Sequence, residues 1–108
     1  MNWPNDADGD VFRRIQRSNF NFETPCLVDF DVDFQEWPPH SEAIRILERE
    51  YPSAKVYEPS SDFNGYVQFQ IYGLVTYELV VRTQEHVTKL MGPFGGVCEA
   101  WGILHQPK

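Results

Sequence analysis

Basic residues are scarce in this chain of 108: nine lysines and arginines stand against sixteen aspartates and glutamates, a formal net charge of −7. Sequence-independent nucleic-acid binding needs cations that displace counterions from phosphates, so the sign of the charge argues against it. The deficit is concentrated early, with eight acids and three bases in residues 1–36. No apolar run approaches the ~18 residues of a membrane span, and the start MNWPNDADGD lacks the basic and apolar regions of a signal peptide. A cytoplasmic protein is expected. There are only two cysteines, Cys26 and Cys98, in neither CxxC nor metal-ligand spacing; in a reducing compartment such residues serve as small buried hydrophobes. Internal repeats and low-complexity tracts are missing too. Gly92, Gly95 and Gly96 follow a helical pattern and so lack the strand-loop-helix context of a phosphate-cradling loop.

What is present is a foldable core. Hydrophobic residues make up 42% of the chain and aromatics 15%, above what disordered chains carry, and the length suits one domain over 1–108 with its core at about 5–104. The first ten and last four residues are expected to be the loosest. A short opening helix is capped by Asp8 or Asp10, shows Val11, Phe12 and Ile15 on one edge and Arg13, Arg14 and Arg17 on a solvated face, and stops at Asn19. Pro25 introduces a strand over 26–34. Ser41 to Tyr51 has helical spacing at Ile44, Leu47 and Tyr51, and Pro52 ends it. Ala54 to Glu58 and Tyr66 to Tyr72 form a hairpin across the turn cluster PSSDFNG. Thr76 to Met91 is a longer amphipathic helix broken by Gly92-Pro93, and Val97 to Leu104 is the last strand.

After the opening helix the order is strand, helix, strand, strand, helix, strand. This predicts an α+β fold, a ferredoxin-like βαββαβ sandwich with two helices on one face of a four-stranded antiparallel sheet. The other face is open. In the stretch VDFDVDF, residues 28–34, the period of two puts Val28, Phe30, Val32 and Phe34 under the helices and Asp29, Asp31 and Asp33 on the open face. Tyr66, Gln68, Gln70 and Tyr72 join them, and strand parity adds Glu99 and Trp101.

Three chemistries could use such an aspartate row. Same-face residues of a strand lie about 6–7 Å apart and diverge with twist, which suits no six- to eight-ligand cation, so neither metal nor cofactor is expected. Exposed carboxylates without a pocket gain little separation of their pKa values, and His40, His86 and His105 fall on a loop, a helix and the tail with no nucleophile beside them; no catalytic residue is assigned. RNA-recognition domains use aromatics on such a face, but here carboxylates occupy the place of bases and phosphates. Two readings remain, a solvated acidic face that only keeps the protein soluble, and a docking surface for a basic protein, with Asp29, Asp31, Asp33 and Glu99 supplying attraction and Tyr66, Tyr72 and Trp101 contact area. The alternative is a small-molecule-binding or enzymatic homodimer with a pocket on the open face.

The segments NDADGDVFRRI, NFNFETP, CLVDFDVDF and GGVCEAWGILH, in this order, resemble the ribonuclease E inhibitor or RraB-like family, the regulators of ribonuclease E activity B. The resemblance covers most of residues 5–104. It implies a ferredoxin-like, acidic, non-enzymatic protein that binds the endoribonuclease and lowers its activity, and so regulates RNA degradation. Asn19 stands where that family usually has glycine, and both residues tolerate positive φ.

Overall fold

The computed structural model describes residues 3–103. Three helices and four strands follow one another as α1 (Ala7–Arg17), β1 (Cys26–Phe34), α2 (Ser41–Glu50), β2 (Lys55–Tyr57), β3 (Tyr66–Gly73), α3 (Tyr77–Met91) and β4 (Gly96–Ile103), with a 3-10 turn at Gly92–Phe94. The strands form one antiparallel sheet in the order β2-β3-β1-β4, which leaves β2 and β4 as edges. No helix is long and apolar enough to cross a membrane, among the described residues.

Alternation along β1 sorts its side chains as the pattern demands. Val28, Phe30 and Val32 are fully buried and pair with Ile71, Phe69 and Val67 on β3. Leu47 of α2 and Val80, Val87 and Met91 of α3 close over them, and Tyr51 stacks on Phe69 at 4.0 Å between ring centroids. Burying a side chain of this size contributes about 1.5–3 kcal/mol, so this layer is the main source of stability.

The helices start and stop for local reasons. Thr76 caps α3 by accepting the Leu79 N–H at 3.0 Å, and His40 Nδ1 accepts the Glu42 N–H at the start of α2. At α1 the cap is Asp6, not Asp8 or Asp10; its Oδ1 accepts the Gly9 N–H at 2.7 Å. All three aspartates satisfy the composition rule for a cap, and only Asp6 has the extended backbone that aims its carboxylate back into the first turn. The helix ends at Ser18, and Asn19 at φ 62° turns the chain away.

Helix α1 joins the same layer as α2 and α3, so the open face of the sheet stays uncovered. Its Phe12 is fully buried against Trp3, Phe22, Tyr77 and Trp101. Far from being loose, residues 3–10 are tied down: Arg13 donates to the Trp3 and Pro4 carbonyls, and the Tyr77 hydroxyl donates to Asp6. That bond and the Gly9 N–H hold the Asp6 carboxyl below its ordinary range, while the Tyr77 phenol is pushed up to about 12. A Cβ on Gly9 would lie 1.9 Å from the Pro4 carbonyl oxygen, so the chain can pass this closely only at a glycine. The last four residues, His105 among them, lie outside the described ones, as does Leu104.

Cys26 and Cys98 are free thiols; Cys98 is buried and Cys26 half-buried. Burial raises both, Cys98 to about 12, which removes it as a nucleophile at neutral pH.

On each side of the sheet a hydroxyl closes one stretch of backbone. Thr88 on α3 accepts the Cys98 N–H of β4 at 2.9 Å and donates to the Cys98 carbonyl at 3.3 Å. On the other side, where β2 has ended, Ser53 does the same for Gln70 of β3, at 2.8 and 3.2 Å. Each hydroxyl occupies the pair of backbone groups that an added strand would need.

Candidate functional site

The open face is laid out by register. Leu27 pairs with Tyr72, Asp29 with Gln70, and Asp31 with Gln68, so the acidic row of β1 lies beside the glutamine row of β3. Gln70 donates to Asp29 Oδ1 at 2.6 Å and Gln68 to Asp31 Oδ1 at 2.9 Å. These bonds fix the two carboxylates in place without neutralising them. The ion pairs of the described residues lie elsewhere, at Arg13–Asp10, Arg45–Glu42, Arg82–Glu78 and His86–Glu50.

The cost of that arrangement is visible in the titration of the row. Partial burial raises the Asp31 carboxyl above its ordinary range; the Gln68 bond opposes this, and the charges of Asp33 and Asp29 add to it. Asp33 is raised by burial and then by Glu99.

Of the predicted contact residues, Asp29, Asp31, Asp33, Tyr66 and Tyr72 do share the open face, and Glu99 lies close enough to act on Asp33. Tyr72 is the most exposed large side chain there, at 70%. Trp101 does not join them. Register along β4 runs Val32 with Cys98 but Asp31 with Ala100, so Glu99 is an extra residue in a bulge and the strand changes phase. Trp101 therefore pairs with buried Phe30 on the helix side, its ring 5.0 Å from Phe12 and its Nε1–H donating to Asp8 Oδ1 at 2.9 Å. Beside it, a Cβ at Gly102 would meet open space, with nothing within 4 Å.

Sequence reasoning missed an aromatic corner. Tyr57 of β2 pairs with Tyr66 of β3, and the rings stack at 4.9 Å and 11°. Phe63, 54% exposed, leans on Tyr66 at 6.3 Å, and the Lys55 ammonium sits 5.6 Å above the Tyr57 ring. The alternation Lys55, Val56, Tyr57 was the available signal. Asp8 was missed as well: besides Trp101 it accepts from the Gln84 amide at 3.2 Å on each oxygen, joining α1 to α3 and β4. No three histidine, cysteine or acidic side chains are grouped for a metal ion among the described residues.

The family model for regulator of ribonuclease activity B matches residues 5–103. The chain belongs to the RraB family. No curated protein and no solved structure matches it significantly. Within the family match, the two aspartates of the NDADG segment hold α1 in place, and the aspartates of β1 line the open face. RraB membership makes the chain one of a family of ribonuclease regulators, and a protein partner is what such a role suggests.

Proposed function

We propose that this protein, acting in the cytoplasm as one domain, is a non-enzymatic regulator that binds ribonuclease E through the open sheet face and lowers its activity. The observation that carries the proposal is a row of carboxylates held by glutamine amides, flanked by exposed Tyr72 and half-buried Tyr66, and without a basic partner among the described residues. Family membership supports the ribonuclease as the target. The strand order β2-β3-β1-β4, with every neighbouring pair antiparallel, supports a ferredoxin-like arrangement in which one face is kept for docking. The alternative of an open-face pocket is less well supported: a groove of about 920 Å³ is lined instead from α3 and β4, by residues that include Gln84, Lys89 and Val97.

Ribonuclease E cleavage of a labelled RNA should slow as this protein is added. The Asp29→Asn, Asp31→Asn, Asp33→Asn variant, shown to be folded, should have lost that effect. Inhibition by the native protein should weaken with salt, since exposed charges are screened beyond about 8 Å at physiological ionic strength. Full inhibition by the triple variant would refute the docking face.

A further inference from the structure

The aromatic corner and the acidic row belong to one surface. Tyr57 and Tyr66 present a stacked pair at the β2–β3 corner, on the side of the sheet that carries Asp31; burial raises the Tyr66 phenol and the Asp31 charge adds to the rise. Aromatic faces attract cations, and the chain already places one there: Lys55 lies over Tyr57, and no carboxylate pairs with it among the described residues. A cation that sits on a ring without a carboxylate partner is readily exchanged for one that can use both.

We infer that the open face takes an extended, arginine-bearing segment of a protein partner, with one guanidinium on the Tyr57–Tyr66 platform beside Asp31 and others along Asp29 and Asp33, and with Lys55 displaced. The inference rests on the docking face proposed above and names its ligand. Arginine is favoured over lysine because a planar guanidinium stacks on a ring while its fork pairs with a carboxylate, and it is less strongly hydrated than ammonium. From Asp29 to Asp33 the row spans about 13 Å at strand rise, with a repeat of about 6.6 Å. That repeat is the i, i+2 spacing of an extended chain, and the span exceeds one side chain. The partner lies on the face by its side chains, because the aspartates of β1 and the stacked tyrosines project from the face and not from an edge; at Cys98 and Gln70 a fifth strand would also find the backbone groups already held by Thr88 and Ser53.

The test uses the full chain and two labelled peptides of equal length, alternating arginine-serine and lysine-serine, with fluorescence anisotropy at low salt. The arginine peptide should bind more tightly. Lys55→Ala should tighten it and Tyr57→Leu weaken it, each about two- to fivefold. Lys89→Ala on α3, which removes the same charge from a different surface, should leave the affinity unchanged. Equal affinity for the two peptides would overturn the inference, as would an arginine affinity that neither Lys55→Ala nor Tyr57→Leu moves, or one that Lys89→Ala raises as much as Lys55→Ala. The ribonuclease assay separates the two levels. Inhibition lost in the triple asparagine variant, together with such a peptide result, removes the arginine assignment alone; inhibition kept in that variant removes the docking face itself.

Discussion

Replacing Asp8 by alanine should destabilise the fold by about 3–4.5 kcal/mol, although Asp8 belongs to no core and no docking surface. The carboxylate takes the Trp101 indole N–H at 2.9 Å and the Gln84 amide at 3.2 Å from both oxygens, and Gln84 is only 8% exposed. Hydrogen bonds to a charged acceptor contribute about 1.5–3 kcal/mol each, and a buried donor left without a partner keeps its desolvation cost. Counting the forked Gln84 contact once, and taking the lower half of the range because the site is only partly buried, gives the figure above. It is a large fraction of the 5–15 kcal/mol typical of a domain. Asp8 also lies in the first turn of α1, where a negative charge gains about 0.3–1 kcal/mol from the helix dipole. A double-mutant cycle with Trp101→Phe removes that contribution, because it is common to both backgrounds. Guanidinium denaturation followed by far-UV circular dichroism would supply the four free energies. A coupling below about 0.5 kcal/mol, or a cost of Asp8→Ala within that margin, would refute the claim that Asp8 ties α1 to β4.

Thr88→Val keeps the shape of the side chain and uncovers the Cys98 backbone groups; it should cost about 1–2 kcal/mol in denaturant and raise the apparent mass in light scattering as β4 edges pair. A monomer of unchanged stability would count against the edge-closing role. The carboxyls of Asp31 and Asp33 are raised by folding, so their contribution to stability is fullest below the ordinary aspartate range and declines as pH rises through their elevated values. Asp6 is lowered and contributes in the opposite sense, present above the ordinary range and lost as pH falls through its depressed value. Stability of the Asp31→Asn, Asp33→Asn variant measured across acidic pH should lack the decline, and a native-like decline in that variant would assign it to other groups.

The elements were legible because their apolar periods are clean. Val28, Phe30 and Val32 alternate without interruption, and Leu79, Val80, Val87 and Met91 recur at helical spacing. The same periods put Asp29, Asp31 and Asp33 on the open face correctly. Trp101 was misplaced because Cys98, Glu99, Ala100 and Trp101 show no local sign of a bulge; parity counted from Cys98 lands on the wrong side by one residue. The α1 cap was equally ambiguous, with aspartates at 6, 8 and 10 each fit for the task until the partners Tyr77, Trp101 and Gln84, some 70 to 90 residues away, divide it among them. Contacts of that range leave no trace in a local pattern. The hydroxyl caps at Ser53 and Thr88 were hidden for the same reason.

Strand β4 is, in effect, two half-strands laid against one unbroken β1, with Glu99 as the surplus residue between them. What keeps Trp101 in place is that one residue of the chain goes uncounted by the sheet. An exchange of Glu99 for another residue alters one exposed side chain, and losing it would let the pairs Val32–Cys98, Asp31–Ala100 and Phe30–Trp101 run on as plain alternation. Ironing the bulge flat with Glu99 still present is what would turn Ala100 toward Phe12 and set the indole of Trp101 among the aspartates of β1. One residue counted or skipped there decides whether the end of the fold is nailed down or a greasy ring is offered to the solvent.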